Sequence, residues 1–313
     1  MVKQFAAGEW IFRQGDPANR FYLILEGNVL IESEVKNRGM IPIRTFGPGD
    51  DLGWGWLFPP YYMLITSFKT NEEISSMAGN PWLINAKPTL DHYINLLVNT
   101  SFLTYFKNTV IVTFCTVAIS MVVSILAAYS LARMRFLGSA TLATGVFLTY
   151  LVPETLLFIP LFKIVGGLGL LNSYWSLVLV YPTIAVPFCT WILIGYFSSI
   201  PRELDEAALI DGCNHLQMLT KIFIPVAMPG IIAATIFAFT VSWAQFLYPL
   251  AFLYSEDQLV LTVGTVTTLI RGDVYHWGGL MAGALLAAAP PVILYAFLMD
   301  YYIAGLTSGA TKS

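Results

Sequence analysis

The 313-residue chain is 57% hydrophobic and only 11% charged, with a mean hydropathy of +0.69. A soluble chain carries about a quarter charged residues, so this composition excludes a soluble globular protein. The formal net charge of −3 gives no ground for a nucleic-acid partner. Cys115, Cys189 and Cys213 lie in or beside apolar segments without metal-ligand spacing and read as small packing residues. No charged-then-apolar stretch with a cleavage site opens the sequence, so no signal peptide is expected.

Residues 3–53 differ from everything after them: polar, punctuated by Gly8, Gly15, Gly27, Gly39 and the Gly47-Pro48-Gly49-Asp50 turn. Between these breaks, residues 10–13, 21–26, 29–35 and 41–46 read as short strands. The run from Phe5 to about Pro60 resembles the first half of a cyclic-nucleotide-binding domain, a β-roll, and then stops. That family's phosphate-binding cassette, a short helix with a Gly-Glu pair and a later Arg, has no counterpart here, and neither do the remaining strands and hinge helix. Binding a cyclic phosphate needs clustered backbone N–H groups and a cation, so residues 1–58 are expected to be a non-binding partial β-roll.

The apolar stretch at residues 52–68 contains roughly 15 apolar residues, about 22 Å of helix at 1.5 Å per residue. The hydrocarbon core is about 30 Å thick, so this is a truncated first span. Residues 71–107 are polar and read as an extracytoplasmic loop with one helix near residues 90–98. Five full spans follow, at residues 108–132, 141–162, 174–197, 226–254 and 277–299. Only Glu154 interrupts them with a charge, and only helices satisfy their backbone in hydrocarbon. Arg133 and Arg135 in the short loop after the first full span favour the cytoplasm, which by alternation puts residues 199–221 there too. Lys69, Lys87, Lys107, Lys163 and Arg271 fall on the other side, so charge alone does not fix the orientation.

The polar interval from Ser199 to Pro229 is the feature that organises the rest. Pro201 suits a first helical turn, and Glu203, Asp205 and Glu206 complement the positive end of a helix dipole. Gly212 breaks the helix, and Leu216, Leu219, Ile222 and Phe223 start a second helical pattern that runs to Pro225. A short helix, a glycine turn and a second helix between two spans form a docking hairpin.

Glu206-Ala207-Ala208, three residues, Gly212, nine residues and Ile222-Phe223-Ile224-Pro225 resemble the EAA loop of membrane subunits of binding-protein-dependent ABC importers. The one departure is Ile224, where that family usually has Leu. The fuller string IPRELDEAALIDG looks like the carbohydrate branch, the maltose-type permeases. IPLFKIVGGLGLLNS, SWAQFLYPLAFL and YYIAGLTSGATK are similar to the same family in order, over residues 61–313. Gln245 stands where these permeases often have Glu.

The resemblance implies an all-α polytopic membrane domain at residues 59–313, of the ABC importer type I permease fold, in a bacterial cytoplasmic (inner) membrane. It also implies two ABC ATPase subunits, a second permease and an extracytoplasmic solute-binding protein as partners, with lipid around the spans. The coupling residues it implies are Glu203, Glu206, Ala207, Ala208, Asp211, Gly212, Ile222 and Pro225. Glu206 would contact the ATPase, the two alanines would permit close packing, and Gly212 would set the turn.

No catalytic constellation stands out, and His92, His215 and His276 lie in different loops. No GxxxxGK[ST] run exists, so ATP hydrolysis is assigned to a partner, and no cofactor or metal is expected on this chain. An ionisable group within a span lines a pathway or pairs internally. That makes Glu154, with Gln245, a candidate for the translocation path, although an interfacial structural role fits Glu154 equally. Two other readings stay open: a membrane-anchored cyclic-nucleotide-type regulator, and a non-functional fusion whose first span is too short. The missing phosphate cassette argues against the first, and neither explains the hairpin spacing.

Overall fold

The computed structural model describes residues 22–23, 29–35, 39–46, 51–52, 58–76, 80–134, 136–271 and 274–310. They fall in two compact units, Met1–Ile65 and Thr66–Ser313. In the first, β1 (Tyr22–Leu23) pairs antiparallel with β4 (Asp51–Leu52), and β2 (Val29–Val35) with β3 (Gly39–Phe46). Ile31 opposes Arg44 while Glu32 opposes Pro42, so Ile43 is the extra residue of a bulge. Pro42 has no N–H to give the ladder, and a bulge accommodates that. The strand expected at residues 10–13, and most of the one at 21–26, lie outside the described residues. The first helix, α1 (Phe58–Phe68), has 11 residues, about 17 Å, and Pro59 and Pro60 sit in its first turn, where no donor is needed.

Among the described residues of the larger unit the regular elements are helices, except for the two-residue strands β5 (Ile270–Arg271) and β6 (Val274–Tyr275). Two short helices, α2 (Asn71–Ser75) and α3 (Asp91–Val98), cross the loop before the first full span. Glu73 ties that loop down by accepting the Asn85 and Ala86 amides at 2.8 and 3.2 Å. The Asn85 amide above all holds its carboxyl below the usual range.

The core runs along α4 (Phe102–Arg133), a 32-residue helix that starts before the residue 108 read from sequence. Thr109, Thr113, Thr116, Ser120 and Ser124 are all buried on one face of it. Small hydroxylated and alanine side chains let helix backbones approach closely where lipid offers no hydrophobic drive. This face meets α8 (Pro182–Ser199) and α12 (Met228–Ala244), which bring Ala185, Ala234 and Ala238 to the contact.

Among the described residues, three helices are long and apolar enough to cross a membrane: Phe102–Arg133, Trp175–Ser199 (α7, Trp175–Val180, continued by α8) and Trp277–Leu298, the last within α15 (Trp277–Ala310). The count reaches five if each of two bent pairs is one span. The straight span expected at residues 141–162 does not form. α5 (Ser139–Tyr150) and α6 (Glu154–Gly167) meet at 94°. Pro153 is extended at ψ 133°, and a proline cannot continue the helix before it. The span expected at residues 226–254 is also interrupted. α12 stops at Ala244, Gln245 is extended at ψ 130°, and α13 (Leu247–Phe252) restarts beyond it.

Gly264, in α14 (Leu261–Leu269), packs on α4, and a β-carbon there would lie 2.5 Å from the Tyr105 ring. Gly264→Ala is therefore expected to cost about 1–3 kcal/mol and to lower the unfolding midpoint of the detergent-solubilised protein. Gly145→Ala, with nothing within 4 Å, leaves the midpoint unchanged or raises it.

Candidate coupling site

The hairpin is built from local signals. α9 (Glu203–Ile210) carries Glu203, Asp205 and Glu206 in its first turn and ends at Asp211. Gly212 takes φ +78°. The Cys213 amide then donates to the Ala208 carbonyl at 2.9 Å and the Gly212 amide to Leu209 at 3.1 Å. This paired closure is a Schellman turn, which needs a left-handed residue where glycine stands. Two residues later a capping box opens α10 (His215–Met218). Asn214 Oδ1 accepts the Gln217 backbone amide, and Gln217 Oε1 accepts the Asn214 backbone amide, each at 2.9 Å. The chain then widens into a π-helical turn, Leu219–Phe223, before α11 (Ile224–Val226), with the Ile224 amide bonding the Leu219 carbonyl. Pro225 explains it: its ring and missing N–H displace the helical ladder by one residue. An 83° bend at Ala227 leads into α12.

These turns give the hairpin two faces. Ala208, Met218, Leu219 and Phe223 are buried in a cluster with Tyr129, Leu193, Phe197 and Ile200. Glu203, Glu206, Ala207 and Asp211 are exposed, beside Leu209 at 56%, Leu216 at 66% and Ile210 at 86% exposure. The pair Ala207-Ala208 is therefore split: Ala207 is on the outer surface, and Ala208 packs within the chain. Ile222 is half-buried and Pro225 exposed.

Sequence reasoning missed the residue that holds the hairpin. Arg133, the last residue of α4, has a side chain only 4% exposed. Its Nη2 contacts both Asp205 carboxylate oxygens at 2.9 and 2.8 Å and donates to the Pro201 carbonyl at 3.3 Å. Its Nη1 donates to the carbonyls of Ile200 at 2.9 Å and Phe197 at 3.3 Å, and the guanidinium lies 4.8 Å over the Phe223 ring. The cation thus satisfies carbonyls at the C-terminus of α8, where a helix leaves them unpaired and its dipole is negative. One turn earlier, the Tyr129 hydroxyl hydrogen-bonds His215 Nδ1 at 3.2 Å, and its ring packs edge-on to Phe197 and Phe223. Arg133 and Asp205 lie far apart in sequence, and nothing in either's spacing announces the pair; the loop charge of Arg133 gave only the orientation.

The second candidate pair does come together. Gln245 Nε2 donates to Glu154 Oε2 at 3.0 Å, joining the two interrupted spans at their breaks. Gln245 Oε1 accepts the Phe246 and Leu247 amides, opening α13, and its carbonyl accepts from Thr262 Oγ1 at 2.7 Å. Tyr248 donates to the Glu154 carbonyl at 3.3 Å. Of the histidines, His92 and His276 line one cavity of about 250 Å3 beside Asn71, Asp91 and Asn95, although the sequence separates them. Among the described residues, no three His, Cys, Asp or Glu side chains are grouped to hold a metal.

The family model for "Binding-protein-dependent transport system inner membrane component" matches residues 120–308, and that for "Cyclic nucleotide-binding domain" matches residues 2–67. The chain is 36% identical over 258 residues to the inner membrane ABC transporter permease protein YcjP of Escherichia coli strain K12, covering 82% of this chain and 91% of that one. It is 33% identical over 261 residues to the diacetylchitobiose uptake system permease protein DasC of Streptomyces coelicolor, covering 82% and 92%. A bacterial ABC transporter involved in the import of alginate superposes on 80% of this chain and 91% of its own, with TM-score 0.70 and 22% identity. The chain belongs to the binding-protein-dependent transport system inner membrane component family. It is a multi-pass inner-membrane ABC transporter permease.

Gly212→Ala forces a β-carbon into the left-handed region, at about 1–2 kcal/mol. The Gly212 and Cys213 amides should then exchange hydrogen roughly tenfold faster, while amides in the middle of α4 keep their rates; mass-spectrometric exchange on the purified protein reads both.

Proposed function

We propose that residues 59–313 form one permease half of an importer for a sugar or sugar-like solute. Its partners are a second permease, two ATPase subunits and an extracytoplasmic solute-binding protein. The observation that carries this reading is the two-faced hairpin, clasped inward by Arg133 and presenting Glu203, Glu206, Ile210 and Asp211 outward. An exposed isoleucine ringed by carboxylates suits an apolar cleft with a cationic rim. A helix seated in such a groove moves with its host, so closure of the ATPases would drive the hairpin and rock the spans between inward and outward access. The chain has no phosphate-cradling loop of its own, so the energy for transport enters through the hairpin. A sugar is favoured because a relative covering nine tenths of its own length is named for diacetylchitobiose uptake.

Glu154 and Gln245 are assigned to the wall of the solute path, where interrupted helices in membrane proteins gather. Residues 1–58 are assigned as a partial β-roll that binds no nucleotide, since the sequence lacks the cassette that would hold the phosphate. Titration with labelled cyclic AMP is expected to give no saturable signal in the micromolar range, and saturation there overturns this assignment.

The coupling reading is tested in the reconstituted complex. Glu206→Lys places a cation against the cationic rim, and Gly212→Pro removes the left-handed turn. Each is expected to reduce solute-stimulated ATP hydrolysis to the unstimulated level while the chain still accumulates in the membrane. Full stimulation in either variant overturns the reading.

A further inference from the structure

Helix α4 reaches both ends of the described helical unit and is held at each. At the hairpin end Arg133 takes the carbonyls of Phe197, Ile200 and Pro201 and the Asp205 carboxylate. At the other end Asn108 Nδ2 donates to the carbonyls of Asp257 at 2.8 Å and Leu259 at 2.9 Å. The Leu261 amide donates to Thr109 Oγ1 at 2.8 Å. Ser101 and Tyr105 donate to Glu256 Oε1 at 2.7 and 3.3 Å, and Tyr105 shares a 2.9 Å bond with Thr268. Tyr105, Asn108 and Thr109 are all at least 96% buried. The segment 256–261 is therefore fastened to α4 through buried groups as firmly as the hairpin is.

The 32 residues of α4, which carry both fastenings, contain neither proline nor glycine, and they span about 48 Å. Sharp kinks arise at prolines, glycine-serine pairs and π-bulges, and α4 has none of these. The other described spans each hold at least one proline inside a helix: Pro160 in α6, Pro187 in α8, Pro229 in α12, Pro290 and Pro291 in α15. Among the described spans α4 alone is built as a stiff rod. Its hydroxylated face leaves Thr113, Thr116 and Ser120 buried without a hydrogen-bond partner, while Ser124 donates to the Val186 carbonyl of α8 at 3.3 Å, so most of that face packs without side-chain bonds to its neighbours.

We propose that α4 is a strut that carries displacement of the hairpin, through Arg133, to the segment 256–261 at the other end of that helix. The inference rests on the coupling reading of the hairpin and assigns Arg133 and Asn108 as positioning residues that act through α4. A helix fastened at both ends transmits translation along its axis, and coupling of this kind is reciprocal. Engagement of a solute-binding protein at the 256–261 end would then bias the hairpin as much as nucleotide biases the far segment.

Tyr254 supplies the reporter. Its side chain is 76% exposed, and its amide is fastened by Asn172 at 3.0 Å, so the segment's position sets its surroundings. In the assembled complex, with Cys115, Cys189 and Cys213 replaced by Ser, Tyr254→Cys is labelled with a polar maleimide with and without ATP and vanadate. Trapping the nucleotide is expected to change the labelling rate about fivefold. Arg133→Gln at one end and Asn108→Ala at the other should each abolish that change, and the double variant should do no more than either. Asp205→Asn, which keeps the shape and loses the charge, should diminish it. Copurification with the ATPase subunits should persist in Asn108→Ala, which a merely structural defect would not allow.

A trapped-state change that survives both Arg133→Gln and Asn108→Ala overturns the strut, as does its absence from the parent. If Arg133→Gln does not accumulate, Asn108→Ala and Asp205→Asn decide between the same two results. Undiminished stimulation in Glu206→Lys overturns the coupling reading itself. Loss of stimulation there, with an unaltered Tyr254→Cys response in Arg133→Gln and Asn108→Ala, overturns the strut alone.

Discussion

The guanidinium of Arg133 is the constraint on which the hairpin depends. Four groups accept from it, and three are carbonyls at the end of α8 and in the turn after it. Without it those carbonyls face an apolar cluster of Phe197, Phe223 and Ile200, where an unpaired acceptor costs about 1–3 kcal/mol. Asp205 supplies the balancing charge with a side chain 20% exposed. Enough water reaches the pair to keep desolvation modest, yet not enough to make it a solvated surface pair, whose typical worth is below about 1 kcal/mol. Burying only one of the two charges would be the costly arrangement, so helix end, turn and hairpin form one unit.

Around that unit the distribution of breaks decides what can bend. Pro153, Pro225 with Ala227, and Gln245 each interrupt an apolar run, giving the 94° and 83° bends and the gap between α12 and α13. In hydrocarbon every freed backbone group needs a protein partner, and the chain provides them. Gln245 accepts the Phe246 and Leu247 amides, and Tyr248 donates to the Glu154 carbonyl. The unbroken α4 runs past these interruptions, so stiffness and flexibility are segregated by element rather than mixed within each.

What the sequence made legible is what local chemistry determines. Gly212 as the turn, the acidic first turn of α9 and the helix at residues 91–98 follow from patterns a few residues long, whereas the helix at residues 71–75 is not among the expected elements. The hairpin's Asn214–Gln217 capping box was equally local and could have been found from its spacing. Hydropathy located every apolar run, yet it could not show that two of them bend, because a window average does not register that Pro153 or Gln245 is extended. Nor could it show that Ala208 faces inward, or that Arg133 reaches Asp205. Those are long-range outcomes of packing, with no spacing to betray them.

At the meeting of the two interrupted spans, Gln245 has an amide whose nitrogen lies 3.0 Å from a carboxylate oxygen of Glu154 and whose oxygen opens α13. A second carboxylate in that place would set two like charges at hydrogen-bond distance within the membrane span, which is tolerated only when a proton or a cation is shared between them. Gln245 removes the conflict, because it donates to Glu154 and accepts from the backbone at once, as no carboxylate could. Glu154 in turn stands at the N-terminus of α6, where the helix dipole favours a negative group. The two interrupted spans thus meet where the Gln245 amide satisfies the Glu154 carboxylate and the Tyr248 hydroxyl satisfies the Glu154 carbonyl.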